Sequence, residues 1–484
     1  MVRKSLLALV LSLLTAGAAA ADDFATRFVL EGQVRSRPAT AIAANDWSIG
    51  GETVDRGFSN PDNWLRYLGP LGPKRVRLQS GWARTDAGGG RLDFAWLDGI
   101  VAGARAQGVA PWISLGYGNP AYIGGGTPQR DSALPSGAGR TAWLAYVAAT
   151  VARYQGQVVE WEVWNEPDLS GNYTAADYGR FALDTARAIR AADPRAYIIL
   201  GAFAHQVAVP PDFAETALRT FVDGGGKGLA QAVTYHAYAE NPDTSYPGIE
   251  RFRTMVRGVD SGLGVRQGEN GAPSLNAPLF ALKNMWWTEE SQAKWLLRRM
   301  LGDAAHGIPT SMFTIADLDY DVRVENNALF AKTASQRQAP WARNMKGLLE
   351  ITANAGGSAT VRPKTAYRAM QNVTAIFDAR LKPVDGGCTV TGGSGAVTAQ
   401  AFRRDDGLTV LALWRSSDRP GDRPLHEDVD VSCDGVRYGA ALAYVDLLTG
   451  AVYRVAGPQQ GGIVTGVPIY DSPVLLADAA AIPR

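Results

Sequence analysis

The chain has 484 residues, which predicts about two or three domains rather than one compact unit. Its hydrophobic share of 46% and charged share of 20% are ordinary for a soluble globular protein. A formal charge of +1 leaves no basic stripe to neutralise phosphates, which argues against nucleic acid as a partner.

In chain order, Arg3 and Lys4 precede the apolar run Leu6–Leu14 and a small-residue site at Ala18-Ala19-Ala20 or Ala19-Ala20-Ala21. That pattern predicts a cleaved export signal over residues 1–21 and a secreted or periplasmic mature chain near −1 in charge. The apolar stretch is short for a bilayer span, and no later segment is continuously apolar for long enough to cross one, so no membrane span is predicted in the mature chain. Residues 22–40 contain the run Phe28–Arg35, which is expected to join a C-terminal sheet.

Eight short apolar runs then alternate with helical patterns over residues 41–381. They are Ala41–Trp47, Lys74–Gln79, Ala110–Gly116, Val158–Trp164, Ala196–Gly201, Ala232–Ala237, Gly264–Glu269 and Pro309–Ile315. Eight such units predict an α/β fold, a parallel (β/α)8 TIM barrel. Between them, Trp143, Val147, Val151 and Tyr154 share one helical face, and Thr174-x-x-Asp177 reads as a capping box before the face of Tyr178, Phe181, Ala182, Ala186 and Ile189. From residue 382 to 484, glycine pairs and Asp-Gly steps punctuate alternating runs such as Thr409–Trp414, the composition of an antiparallel β-sandwich domain. The two cysteines, Cys388 and Cys433, both lie there. Export favours a single disulfide, with two buried thiols as the alternative. Two Cys and four His, none at metal-ligand spacing, predict no metal and no other cofactor. Thirteen Trp include candidates for stacking on pyranose faces, although most Trp in any protein are core.

The run Val158–Trp164 stops at Asn165-Glu166-Pro167. Pro167 cannot donate to a ladder and disfavours right-handed helical backbone at Glu166, so this carboxylate is fixed at a strand's carboxyl end, where barrels present catalytic groups. Glycoside hydrolysis needs two carboxylates flanking the scissile bond, one protonated and one ionised. The second candidate is Glu269, which follows the seventh run between Gly268 and Gly271, glycines expected to let backbone approach a ligand. Glu289 and Glu290 sit in a helix's first turn and are expected to serve its dipole. Asp317 and Asp319, after the eighth run, are weaker rivals that could line the cleft.

Asn165-Glu166-Pro167 on the fourth strand, with a Glu ending the seventh, resembles the clan A (4/7 superfamily) glycoside hydrolases, with family 39 the nearest pattern. The resemblance spans the chain from about Ala41 onward. It implies a retaining mechanism with Glu166 as acid/base, Glu269 as nucleophile, and carboxyl groups ~5–5.5 Å apart. It further implies that Arg77 steadies the nucleophile, that Asn165 bonds the sugar 2-hydroxyl, and that His236 or Tyr238 contacts the nucleophile or the sugar. Tyr117 and Asn119, in Gly116-Tyr-Gly-Asn-Pro120, resemble a family loop lining the glycone site. Trp47, Trp82 and Trp164 are the stacking candidates. The chain departs from the clan in having no Trp near the end of the eighth run, where Phe313 stands instead.

The implied partner is a polysaccharide or oligosaccharide. The alternatives are an exo-acting β-xylosidase-like enzyme, a non-catalytic carbohydrate-binding barrel and a metal-dependent barrel hydrolase. The inserts Ile123–Gly139, Ala239–Ile249 and Asp319–Arg343 either wall off the cleft or bank an open groove. Oligomeric state is left open.

Overall fold

A computed structural model describes residues 24, 26–129, 132–276, 280–319, 322–325, 328–331, 343–354, 358–422, 426–434, 436, 438, 441–456 and 463–484. The signal assigned to residues 1–21 lies outside these, as does much of the insert Asp319–Arg343. The chain divides into two units. One holds residues 36–379 with 418–423, and the other holds residues up to 35, 380–417 and 424 onward.

The larger unit is a closed parallel barrel of eight strands. Numbering the N-terminal strand Phe28–Gln33 as β1, the staves are β2 (Trp47–Gly50), β3 (Arg75–Gln79), β4 (Ala110–Leu115), β5 (Glu160–Val163), β6 (Tyr197–Phe203), β7 (Ala232–His236), β8 (Gly264–Asn270) and β9 (Thr310–Met312). β2 closes the ring by pairing with both β3 and β9. Around it lie α1 (Ala95–Ala106), α2 (Gly137–Arg153), α3 (Ala175–Ala192), α4 (Asp212–Phe221), α5 (Tyr246–Val259), α6 (Glu289–Ala305) and α7 (Thr365–Ile376). α3 starts with the capping box of Thr174 and Asp177, and its buried face includes Tyr178, Phe181, Ala182, Ala186 and Ile189. Two orphan backbone donors are thereby satisfied at its start.

The first stave differs from expectation. Ala41–Trp47 is not a strand: Ala39–Ala41 forms a 3-10 turn, and β2 begins only at Trp47. Asn45 accounts for this. Its side-chain oxygen accepts from the amides of Trp47 and Lys74, and its nitrogen donates to Gly72, so it organises the entry to the barrel instead of extending it. The strand end consequently falls at Gly50, a few residues later than the apolar run suggested.

The barrel interior is also more polar than eight apolar runs imply. Period-two alternation sends Glu160 and Glu162 of β5 inward, together with Arg75 and Arg77 of β3. In one layer Glu160 pairs with Arg75 at 2.9 Å and with Arg266 at 3.0 Å. In the next, Arg77 Nε donates to Glu162 Oε2 at 2.7 Å, and the Thr234 hydroxyl donates to Glu162 Oε1. Trp161, between the two acids, is fully buried.

The smaller unit is an antiparallel sandwich. Its seven-stranded sheet runs Phe28–Gln33, Ala451–Val455, Leu442–Asp446, Val474–Asp478, Thr409–Arg415, Val397–Arg404 and Leu381–Pro383. Its three-stranded sheet runs Cys388–Gly392, Glu427–Cys433 and Ile463–Ile469. Leu411, Leu413, Tyr444 and Leu476 of the first sheet pack with Val429, Val431, Val467 and Ile469 of the second. Cys388 and Cys433 are directly opposed in register and joined by a disulfide.

Candidate active site

β5 ends at Val163, and the chain then leaves the barrel through unusual backbone. Trp164 has φ 69° and Glu166 has φ 50°, both left-handed conformations that side-chain-bearing residues seldom adopt. Such residues cost on the order of 1–3 kcal/mol each and persist where neighbours over-determine them. Here the Trp164 amide donates to Leu115 of β4 and the Glu166 amide donates to Ala202, just before β6 ends. Pro167 follows, opening a 3-10 turn, so Glu166 is locked at the strand end.

Glu269 arrives from β8. Its neighbour Gly271 is not there to admit a ligand: a Cβ would meet the Phe313 carbonyl at 2.2 Å, so this glycine serves close packing of β8 against the segment after β9. Gly268 likewise backs onto Thr234 and His236 of β7. One oxygen each from Glu166 and Glu269 and a ring nitrogen of His236 all lie within 4.8 Å of one another.

The surroundings of the two acids differ. Glu269 Oε1 accepts from the Tyr238 hydroxyl at 2.7 Å, and Oε2 accepts from Arg77 Nη1 at 3.2 Å. Glu166 Oε1 lies 3.0 Å from His236 Nδ1, which is 3.8 Å from Glu269 Oε2. Burial alone would lower the His236 pKa, but Glu269 and Glu166 outweigh it and raise it. Burial pushes the Tyr238 hydroxyl pKa far up, and Glu269 adds to this, so Tyr238 is a proton donor at neutral pH.

Asn165 is fixed from both sides. Its oxygen accepts from Arg77 Nη2 at 2.7 Å, and its nitrogen donates to the Tyr117 hydroxyl at 2.7 Å. An amide nitrogen carries two hydrogens, so one donor is left for a ligand. Arg77 is wholly buried, and its charge is held by Glu162, Glu52 and Glu269.

A cleft of about 1260 Å3 opens at the carboxyl ends of the strands. Glu166, Glu269, Asn165, His236, Tyr238 and Tyr117 all face it, with Phe313 and part of the insert Ala239–Ile249. Other expected residues do not, among them Arg77, which lies buried beneath the cleft's carboxylates. Trp47 stands at the start of β2, the opposite end of the strand, and its indole donates to Phe377. Trp82 is buried among Tyr122, Trp143 and Tyr146. Asn119 is spent on loop contacts, donating to the Asp86 carbonyl and accepting from Ala121. Trp164 is core as well, packed on Trp143, Tyr117 and Phe181. The aromatic surface of the cleft is supplied by Tyr117, Tyr238, Phe280 and Phe313. Asp317 is a buried partner of Lys364 at 2.7 Å, not a cleft residue. Asp319 has no described side chain.

Glu52 and Lys346 are among the cleft residues missed from sequence. Glu52 follows β2 and is buried, accepting from Arg77 Nη1 at 3.1 Å. A Cβ on Gly50 would lie 2.0 Å from Glu52 Oε2, so only glycine there lets this carboxylate fold back over the strand. A Gly-Gly-Glu sequence ending a first stave was the available signal. Lys346 lies after β9, beyond a long insert, where no motif marks it.

Glu166, His236 and Glu269 are close enough to offer one ligand atom each to a cation. Arg77, however, directs its charge at Glu269 from 3.2 Å, where it would repel a metal. The donor set suits proton and nucleophile chemistry better.

No family model matches the sequence, and no curated protein does either. Solved structures do match in fold. A family 39 glycoside hydrolase from Bacteroides cellulosilyticus superposes with TM-score 0.61 at 18% identity, over 91% of this chain and 81% of that one. A monomeric β-xylosidase from Caulobacter crescentus gives TM-score 0.56 at 17% identity, over 92% and 97%. The fold is one used by glycoside hydrolases. A GH30 endoxylanase from Clostridium papyrosolvens shares it too, with TM-score 0.55 at 12% identity over 93% and 98%.

Proposed function

We propose that the chain is an exported retaining glycoside hydrolase that cleaves a polysaccharide or oligosaccharide by double displacement. The observation that carries this is the approach of one carboxylate oxygen of Glu166 and one of Glu269 to within 4.8 Å, each acid at a different strand end and both lining one cleft. Carboxyl groups of retaining pairs stand ~5–5.5 Å apart and those of inverting pairs ~6.5–9.5 Å, and an oxygen approach this close favours the retaining arrangement. Solved neighbours named as a β-xylosidase and an endoxylanase support a glycosidic substrate. Export rests on the charged and apolar pattern of the first residues.

Glu269 is the nucleophile. Tyr238 and Arg77 orient both of its oxygens, and its attack on the anomeric carbon forms a glycosyl ester. Glu166 gives its proton to the leaving oxygen, then takes one from the water that hydrolyses the ester. His236 holds Glu166 in place during both transfers. Asn165, already oriented by Arg77 and Tyr117, keeps one N–H for a sugar hydroxyl.

The test uses an activated aryl glycoside with Glu269→Gln and Glu166→Ala. The first should lose activity by about a thousandfold or more, on the order of 4 kcal/mol in barrier. The second should fall by about 10²–10⁴-fold and recover with azide, giving a glycosyl azide of retained configuration. Unchanged turnover by Glu269→Gln removes the proposal.

A further inference from the structure

We propose that Lys346 is the recognition point for an anionic substituent, a carboxylate or a sulfate, on the glycan bound in this cleft. The inference rests on the glycosidase reading and extends it to a substrate class.

Three lysines of the described chain are buried: Lys294, Lys346 and Lys364. The fold satisfies two of them. Lys364 bonds Asp317 at 2.7 Å and Ser274 at 2.8 Å, and Lys294 bonds Glu290 at 3.0 Å and the Gly421 carbonyl at 2.8 Å. Lys346 is 3% exposed, yet among the described residues its ammonium makes no hydrogen bond and no ion pair. Its Nζ instead lies over two aromatic rings, 5.7 Å from the Tyr238 centroid and 5.8 Å from that of Phe280. Both rings line the cleft, as does Lys346 itself.

A buried cation without an anion is costly, and ring faces offset only part of that cost. Burial accordingly brings the Lys346 pKa down to about 7, with Glu269 opposing. Glu269 is not its partner: Tyr238 and Arg77 already occupy both of that carboxylate's oxygens. The open space before Nζ is the cleft. An anionic glycan entering a site that already holds Glu166 and Glu269 also needs a nearby cation to offset their repulsion. Lys346 supplies that charge, and Lys283 also lines the cleft.

Calorimetric titration tests this with oligosaccharides of glucuronoxylan and polygalacturonate, each native and carboxyl-reduced. Fragments of a sulfated galactan, before and after desulfation, form the sulfate arm. The native protein should bind one anionic class at least about tenfold more tightly than its neutral counterpart, the worth of one charge-assisted contact. Lys346→Met should bring that ratio to near one while keeping neutral-glycan binding within about threefold. The arm that shows the preference identifies the anion. Equal binding of anionic and neutral forms by the native protein overturns the proposal, as does failure of every anionic probe, and neither outcome depends on a variant folding. Release of reducing ends is followed in parallel. Discriminating binding without turnover sinks the hydrolase reading alone. Turnover indifferent to the anion sinks the Lys346 assignment alone.

Discussion

The Glu52 carboxylate accepts from Arg77 at 3.1 Å through the same nitrogen that reaches Glu269 at 3.2 Å. One guanidinium hydrogen-bond arm thus serves both the proposed nucleophile and a third buried acid. Burial, with Glu269 adding, pushes the Glu52 pKa up to about 7, against the pull of Arg77.

That shift fixes a sign for stability. A carboxyl whose folded pKa is raised binds its proton more tightly when folded, so its contribution is complete below 4.5 and is lost as pH rises to about 7. Glu52→Gln should remove a decline on the order of 3 kcal/mol between those limits. Urea unfolding of both proteins at several pH values measures it. Parallel pH slopes would show that Glu52 does not titrate there.

Tyr238→Phe deletes one donor to Glu269 and nothing else that the described residues bond. Hydrogen bonds to charged groups are worth about 1.5–3 kcal/mol, so kcat should fall by about 10–100-fold. A change confined to KM would mean that Tyr238 serves ground-state binding only.

Glu162→Ala leaves Arg77 without the acid it bonds most closely, where both side chains are fully buried. Breaking a buried pair this way costs about 3–5 kcal/mol. The outer layer, where the Arg75 side chain is 28% exposed, should be more tolerant, and Arg75→Met should cost about 1 kcal/mol or less. Chemical denaturation compares the two, and equal losses would contradict the layering.

The disulfide closes a sequence separation of 45 residues within the sandwich. Loop-closure entropy assigns such a bridge about 4 kcal/mol, and native bridges commonly realise about 2–4 kcal/mol. Replacing Cys388 and Cys433 together with Ser should lower the sandwich's unfolding midpoint in calorimetry. An unchanged midpoint would mean that the two bridged strands hold register without it.

Much of the site was legible because strand ends announce themselves. Asn165-Glu166-Pro167 halts an apolar run, and Glu269 closes another. What escaped depends on contacts between distant segments. The Arg77–Glu162 pair bridges two strands whose alternation, taken strand by strand, looks like a hydrophobic run with stray charges. Glu52 was hidden by a first stave read too early, because Asn45 spends its side chain shaping the entry turn. Trp82 and Trp164 appeared to be sugar platforms because a Trp near a strand end is ambiguous until its neighbours are known. Those neighbours proved to be other rings.

The pairing of Phe28 with Val455 carries a consequence for biosynthesis. The strand Phe28–Gln33 leaves the ribosome long before Ala451–Val455 exists, so it waits unpaired while the barrel is being made. It carries Val29 and Leu30 partly bare even in the finished molecule. An edge of that kind invites association with other nascent chains until its partner is translated.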